Sequence, residues 1–257
     1  MWVAALYDKF KKERIQPSID LLNRVEIKEC KNIIDIGCGS GMSTLPLRER
    51  FPEARIVGVD LSENMLGQAK KMLGDVEWIK RDCGKKLEDL GTFDLAFSNA
   101  FLQWLPNQEE FICNTRELLT ANGILAIQVP SFEEMEISNI IKDTAREFDE
   151  TKELFCNMDQ TNYMNYTIGE YYDMFSRYYS DIEIWQTNYV HQMKDHASIL
   201  EFVKGTALVP YLERLDHKQV EKFMEMLYSK TKQHYVESEN KTVLFEFKRI
   251  FIIARNS

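Results

Sequence analysis

The stretch Asp35-Ile36-Gly37-Cys38-Gly39-Ser40-Gly41 lies between a β-rich run, Asn32 to Gly37, and a helix-suited segment, Ser43 to Arg50. Three alternating glycines let a backbone turn sharply and let a ligand approach with no Cβ in the way. The helix start behind them offers free N–H groups. The dinucleotide fingerprint G-x-G-x-x-G lives at the same kind of turn, but its last position is Met42 here, which opposes a nicotinamide oxidoreductase. Asp35, two residues before the first glycine, is poorly placed beside a pyrophosphate and well placed beside a cationic ligand such as an ammonium group. A ligand-free turn is the plainer reading, and this coincidence of features argues against it.

Further β-rich runs cover Arg55 to Asp60, Val76 to Lys80, Phe93 to Asn99 and Ile124 to Val129, with helix-suited stretches at Glu63 to Leu73 and Gln108 to Leu119. Continuously apolar strands alternating with helices indicate βαβ units around a buried parallel sheet. Nine of the eleven glycines precede residue 124, and the remainder of the chain reads as helix-rich. Helices are expected over Glu134 to Phe155, Thr167 to Tyr178, Asp195 to Lys204 and Asp216 to Tyr235, the last two opened by an Asp in N-cap position. Ile182 to Met193 and Ile250 to Ala254 return to strand chemistry. The expectation is an α/β fold in one domain, 1–257. It has a core at 30–130, a seven-stranded, mostly parallel Rossmann-like sheet, and helical lid insertions at 131–180 and 194–247.

The formal charge of −9, from 32 Lys and Arg against 41 Asp and Glu, excludes a polyanionic partner such as nucleic acid. No apolar run reaches the roughly 18 residues of a membrane span, and no signal-peptide core is present. The five cysteines are odd in number and contain no C-x-x-C pair, so neither a disulfide framework nor a zinc site is indicated. A cytoplasmic monomer or homodimer, binding a small molecule and no metal, is expected. His191 and His196 read as core or solvated histidines rather than metal ligands.

Asp60 closes the second strand within Gly58-Val59-Asp60-Leu61-Ser62, where a carboxylate can accept both hydroxyls of an adenosine ribose. Its plainer role is to cap the helix beginning near Glu63. Asp82-Cys83 follows the third strand, where a carboxylate can accept an adenine amino group or simply shape a turn. Asn99-Ala100-Phe101-Leu102-Gln103-Trp104 follows the fourth strand, and strands one and four flank the switch point that binds ligand in open α/β sheets. An aromatic there, Trp104, suits a sulfonium, whose charge is drawn to a π-face, or else anchors the core or a lid.

Taken together, these motifs resemble a class I S-adenosylmethionine-dependent methyltransferase. The chain is further similar to the trans-aconitate 2-methyltransferase family, through Leu6 to Leu22, the glycine turn, Phe51 to Asp60, Phe97 to Pro106 (FSNAFLQWLP), Gly123 to Pro130, Ile182 to Met193, Phe202 to Tyr211 and Phe247 to Arg255 (FKRIFIIAR). The resemblance implies S-adenosyl-L-methionine as cofactor, with contacts at Asp35, Gly37, Asp60, Asp82 and the backbone of Asn99 and Ala100. Cys38, Gly39, Gly41, Leu61, Met65 and Cys83 complete the expected cofactor set. It also implies methyl-ester formation on a small polycarboxylic acid. A carboxylate is its own nucleophile at neutral pH, so no acid–base residue is expected, and alignment carries the rate. Gln103 and Trp104 are expected near the transferred methyl. Tyr7, Arg14, Gln16, Trp104 and Arg249 are expected at the substrate, with Tyr7 and Phe10 able to close over the cofactor.

Two positions depart from the family pattern: Gln16 and Gln186 stand where it has Arg. Each change removes a bidentate carboxylate clamp. A methyltransferase of the same fold with another small-molecule acceptor is therefore the alternative, and a non-catalytic cofactor-binding regulator a more distant one. Cys38 admits two readings, a thiol acidified by the helix start or a residue chosen for its size.

Overall fold

A computed structural model of the chain describes residues 10–148, 155 and 165–256. Seven strands form one sheet: β1 (Asn32–Ile36), β2 (Arg55–Asp60), β3 (Glu77–Lys80), β4 (Phe93–Asn99), β5 (Leu119–Pro130), β6 (Asp181–Met193) and β7 (Val243–Arg255). Their order is β3-β2-β1-β4-β5-β7-β6. The first five are mutually parallel, and β7 runs antiparallel to β5. This is the expected mostly parallel Rossmann-like sheet. The helices are α1 (Lys11–Arg24), α2 (Thr44–Arg50), α3 (Glu63–Met72), α4 (Gln108–Glu117), α5 (Glu136–Glu147), α6 (Ile168–Ser176), α7 (His196–Lys204), α8 (Val209–Leu212) and α9 (His217–His234).

The chain divides into two compact units. One comprises residues 14–130, 162–187 and 249–257 and holds the parallel strands. Its core is aliphatic where the strands are apolar on both faces: Ile34, Ile36, Val57, Val59, Leu125, Ile127, Ile250 and Ile252 are all buried. Tyr171 and Phe175 of α6 join that core. The β2–β1–β4 arrangement creates a switch point between β1 and β4, because the chain moves outward from β1 in one direction and then in the other.

The second unit comprises residues 1–13, 131–161 and 188–248. Asp195 and Asp216 cap α7 and α9 as the sequence predicts, accepting N–H bonds from Ser198 and Gln219 at 2.8 and 2.9 Å. Phe202 of α7 packs edge-on against Phe10, Phe245 and Phe247. His191 lies among the rings of Phe202, Phe245 and Phe247, and His196 Nε2 meets the Tyr235 carbonyl at 2.7 Å. Both are core histidines here. The helix expected over Glu134 to Phe155 is α5 as far as Glu147; most of its remainder lies outside the described residues. Among the described residues no helix is long and apolar enough to cross a membrane.

Candidate functional site

At the end of β1 the chain reverses through left-handed glycines, with φ of +73° at Gly37 and +54° at Gly39. The Phe101 ring lies directly over Gly37, where a Cβ would meet its Cγ at 2.2 Å. Gly39 is different, because a Cβ there would meet nothing within 4 Å. Gly39 thus turns toward open space, while Gly37 is required by packing as well as by its backbone angle.

The N–H groups of this turn are less available than the sequence suggests. Gly37 and Cys38 both donate to the Val59 carbonyl, at 2.9 and 3.1 Å, and Gly41 donates to Cys38. Gly39 donates to Asp60 Oδ2 at 2.9 Å. The N–H groups of the turn itself are therefore largely engaged, most of them with β2.

Asp35 is fully buried. Ser43 and Thr44, at the start of α2, donate their hydroxyls to its Oδ2 at 2.8 and 2.6 Å. Its Oδ1 is buried with no hydrogen-bond partner among the described residues. Burial pushes its carboxyl up to about 6, while the two hydroxyl bonds oppose that rise. A buried acceptor without a donor is a place where a cationic donor gains most. Ser43 and Thr44 were not singled out from sequence, although two hydroxyl residues at a helix start beside a strand-end Asp are a readable signal.

Asp60 is half-buried and accepts from Ser62 N–H at 2.7 Å as well as from Gly39. The cap of α3 is supplied by Ser62, whose hydroxyl accepts from Met65 N–H at 3.4 Å. Leu61 is 63% exposed beside it, and Met65 is half-buried. Asp82 is exposed and its Oδ1 accepts from Gly84 N–H at 3.0 Å, a turn-shaping bond. Cys83 is buried with its thiol 3.5 Å from the Val59 carbonyl. Burial raises the Cys38 thiol well above its usual range and the Cys83 thiol to about 12. Of the two readings of Cys38, this favours a residue chosen for its size, because desolvation and the nearby Asp35 carboxylate outweigh any helix-start effect.

At the end of β4, Ala100 adopts φ +55°, a left-handed conformation costing a non-glycine residue about 1–2 kcal/mol. Its N–H donates to the Gln128 carbonyl at 2.8 Å, and its carbonyl accepts from Gln103 Nε2 at 2.7 Å. Asn99 Oδ1 and Gln103 Oε1 are buried without hydrogen-bond partners among the described residues. Trp104 is half-buried in the single turn of 3-10 helix Leu102–Trp104.

Arg249 is only 5% exposed, and its Nη1 donates to Gln128 Oε1 at 3.1 Å. Registers Asp35↔Phe97, Asn99↔Gln128, Gln128↔Phe251 and Pro130↔Arg249, with strand alternation, put Asp35, Asn99, Gln128 and Arg249 on one face of the sheet. Gln128 escaped notice in the sequence, although one polar residue inside the apolar run Ile124 to Val129 is its signature. Arg14 is half-buried near the start of α1. Gln16 is exposed and donates to Asp20 of its own helix at 2.7 Å. Gln186 is half-buried in β6. Tyr7 lies outside the described residues.

A family model described as a methyltransferase domain matches residues 27–177. Over 257 residues, the chain is 33% identical to the trans-aconitate 2-methyltransferase of Escherichia coli, covering 99% of this chain and 98% of that protein. The chain belongs to the trans-aconitate 2-methyltransferase family. It is accordingly a class I methyltransferase whose cofactor is S-adenosylmethionine. The protein of Escherichia fergusonii with the same name is 32% identical over 259 residues, covering 100% of this chain and 98% of its own.

The fold has solved counterparts within the wider methyltransferase class. A putative methyltransferase from Bacillus halodurans superposes with a TM-score of 0.61 at 13% identity, covering 93% of this chain and 98% of that one. Phosphoethanolamine N-methyltransferase 2 of Haemonchus contortus, crystallised with S-adenosyl-L-methionine, gives 0.56 at 16% identity, covering 94% and 52%. These two show the fold and the family membership shows the reaction class.

Proposed function

We propose that this methyltransferase forms a methyl ester on a small carboxylic acid, with trans-aconitate or a closely related acid as substrate. One observation carries the reading beyond relatedness: a buried arginine, Arg249, on the same sheet face as the unpartnered atoms of Asp35 and Asn99. In a chain of charge −9, long-range attraction does not bring an anion in, so a local buried cation must hold it.

The residues present fit the cofactor. Asp35 Oδ1 is a buried acceptor with no donor among the described residues, which suits the ammonium group of the methionine moiety. Gly39 opens onto free space beside it, and Asp60 and the exposed Leu61 suit the ribose and one face of the adenine. Asp82 and Cys83 at the end of β3, the Asn99–Ala100 backbone and Met65 complete the set. Gln103 and Trp104 border the acceptor end. When bound, S-adenosylmethionine supplies an electrophilic methyl group on a sulfonium. The protein's part is to hold the acid's carboxylate oxygen in line and to exclude water, and such positioning is worth about 7–11 kcal/mol. No residue need take a proton, because the acceptor is already ionised.

The second reading, a different acceptor, is favoured by Gln16 and Gln186. The exposure of Gln16 and its bond to Asp20 weaken that argument, since an arginine at the same place would also stand at the surface. A panel of di- and tricarboxylic acids with labelled cofactor separates the two. Turnover of trans-aconitate or a close analogue well above that of hydroxyl- and amine-bearing acceptors is expected, and equal turnover of all classes would refute the carboxylate reading.

A further inference from the structure

The unpartnered polar atoms on this sheet face are sorted by kind. Toward β1 and β4 they are acceptors, Asp35 Oδ1 and Asn99 Oδ1, with no hydrogen-bond partner among the described residues; the turn after β4 adds a third such acceptor, Gln103 Oε1. On β5 the unpartnered atom is a donor, Gln128 Nε2, and β7 beside it carries the buried Arg249 cation. Asn99 and Gln128 are register partners on adjacent strands, whose backbones lie about 4.8 Å apart, so the acceptor and donor sides adjoin. A reaction between a cationic methyl donor and an anionic acceptor needs such a division.

We propose that Gln128 and Arg249 together form an anion subsite that takes one carboxylate of the methyl-accepting acid, with Gln128 donating through Nε2. This rests on the carboxylate reading above. The orientation of the amide follows from chemistry, because a guanidinium can only donate: Oε1 must face Arg249, and the Nε2 hydrogens must point elsewhere. Gln128 is fully buried in a strand whose other residues from Ile124 to Val129 are apolar. An aliphatic side chain would fill that position at no polar cost, whereas a buried N–H2 with no acceptor is unfavourable. Anchored by Arg249, it is a rigid donor that needs no ordering when a carboxylate arrives. Gln128 thus contacts substrate and also fixes the guanidinium, giving a neutral and a charged donor to the same group.

The test uses the full chain and two variants. Gln128→Glu keeps an acceptor for Arg249 while replacing the donor by a carboxylate oxygen. Gln128→Met removes the donor with little change in volume. Three quantities are measured: KM for trans-aconitate and related acids, calorimetric affinity for trans-aconitate with S-adenosylhomocysteine bound, and affinity for S-adenosylmethionine alone. Gln128→Glu is expected to weaken acid binding and raise KM by about tenfold or more, with cofactor affinity within about twofold and thermal stability preserved. Gln128→Met is expected to move the same two acid readouts in the same direction. A wild-type enzyme that methylates an acid while both variants keep its KM and affinity overturns the subsite alone. Equal losses of acid and cofactor binding also overturn it, since Gln128 would then serve the cofactor side. A wild-type protein that turns over no acid in the panel overturns the carboxylate reading and the subsite together.

Discussion

The Asp60 carboxylate holds the glycine turn from the neighbouring strand, accepting the Gly39 N–H at 2.9 Å. Its other oxygen accepts from Ser62 at 2.7 Å. One side chain therefore ties the turn after β1 to the turn after β2, and each oxygen keeps a further lone pair for a ligand.

Replacing Asp60 by Ala releases two N–H groups as well as any ribose contact. Unfolding free energy is expected to fall by about 1–3 kcal/mol and S-adenosylmethionine affinity by about tenfold or more. Denaturant melts and calorimetry check the two together. A destabilised variant with native cofactor affinity would mean that the ribose hydroxyls are held elsewhere.

Asp35 is expected to make stability and cofactor binding depend on pH. Its carboxyl is raised from 3.8 to about 6 by burial, so the folded chain binds this proton more tightly than the unfolded one. Its unfavourable contribution is therefore absent below about pH 4 and fully in force above about pH 6. A shift of this size corresponds to about 3 kcal/mol. Between those limits the cofactor-free protein is expected to lose stability from this group as pH rises, and Asp35→Asn is expected to remove that slope. Cofactor affinity should run the other way, strengthening as pH climbs through about 6 and the carboxylate ionises. Melting temperatures of both proteins across this window, with and without cofactor, give the answer; parallel curves would reject the assignment.

Gln16 offers a direct test of the family's missing arginine. Because the side chain is exposed and bonded to Asp20, Gln16→Arg is expected to leave KM for the acid within about twofold. Steady-state kinetics decide it, and a tenfold fall in KM would bring this position into the substrate site.

The thiols of Cys38 and Cys83 are expected to resist alkylation. Both are buried, and burial raises both above the usual thiol range. Iodoacetamide at pH 8 followed by mass spectrometry should leave them unmodified in the folded protein and label them in denaturant. Rapid labelling of Cys38 in the folded state would restore the acidified-thiol reading.

The sheet and the glycine turn after β1 are legible in the sequence, because both are written in local chemistry. Apolar runs alternate with helical spacing, glycines mark the turn after β1, and Asp195 and Asp216 announce helix starts that the structure keeps. Asp35 and Asp60 were likewise legible as strand-end carboxylates. Their environments were not. Whether Asp35 is solvated or buried beneath Ser43 and Thr44, and whether the turn's N–H groups are free or engaged with Val59, depends on packing across strands. Gln128 and Arg249 are the clearest case: they lie 121 residues apart and meet only because β7 inserts antiparallel beside β5. Periodicity reports which face a residue occupies within its own strand. Tertiary structure alone decides which distant strand brings its partner, and there a glutamine in an apolar run meets a buried guanidinium.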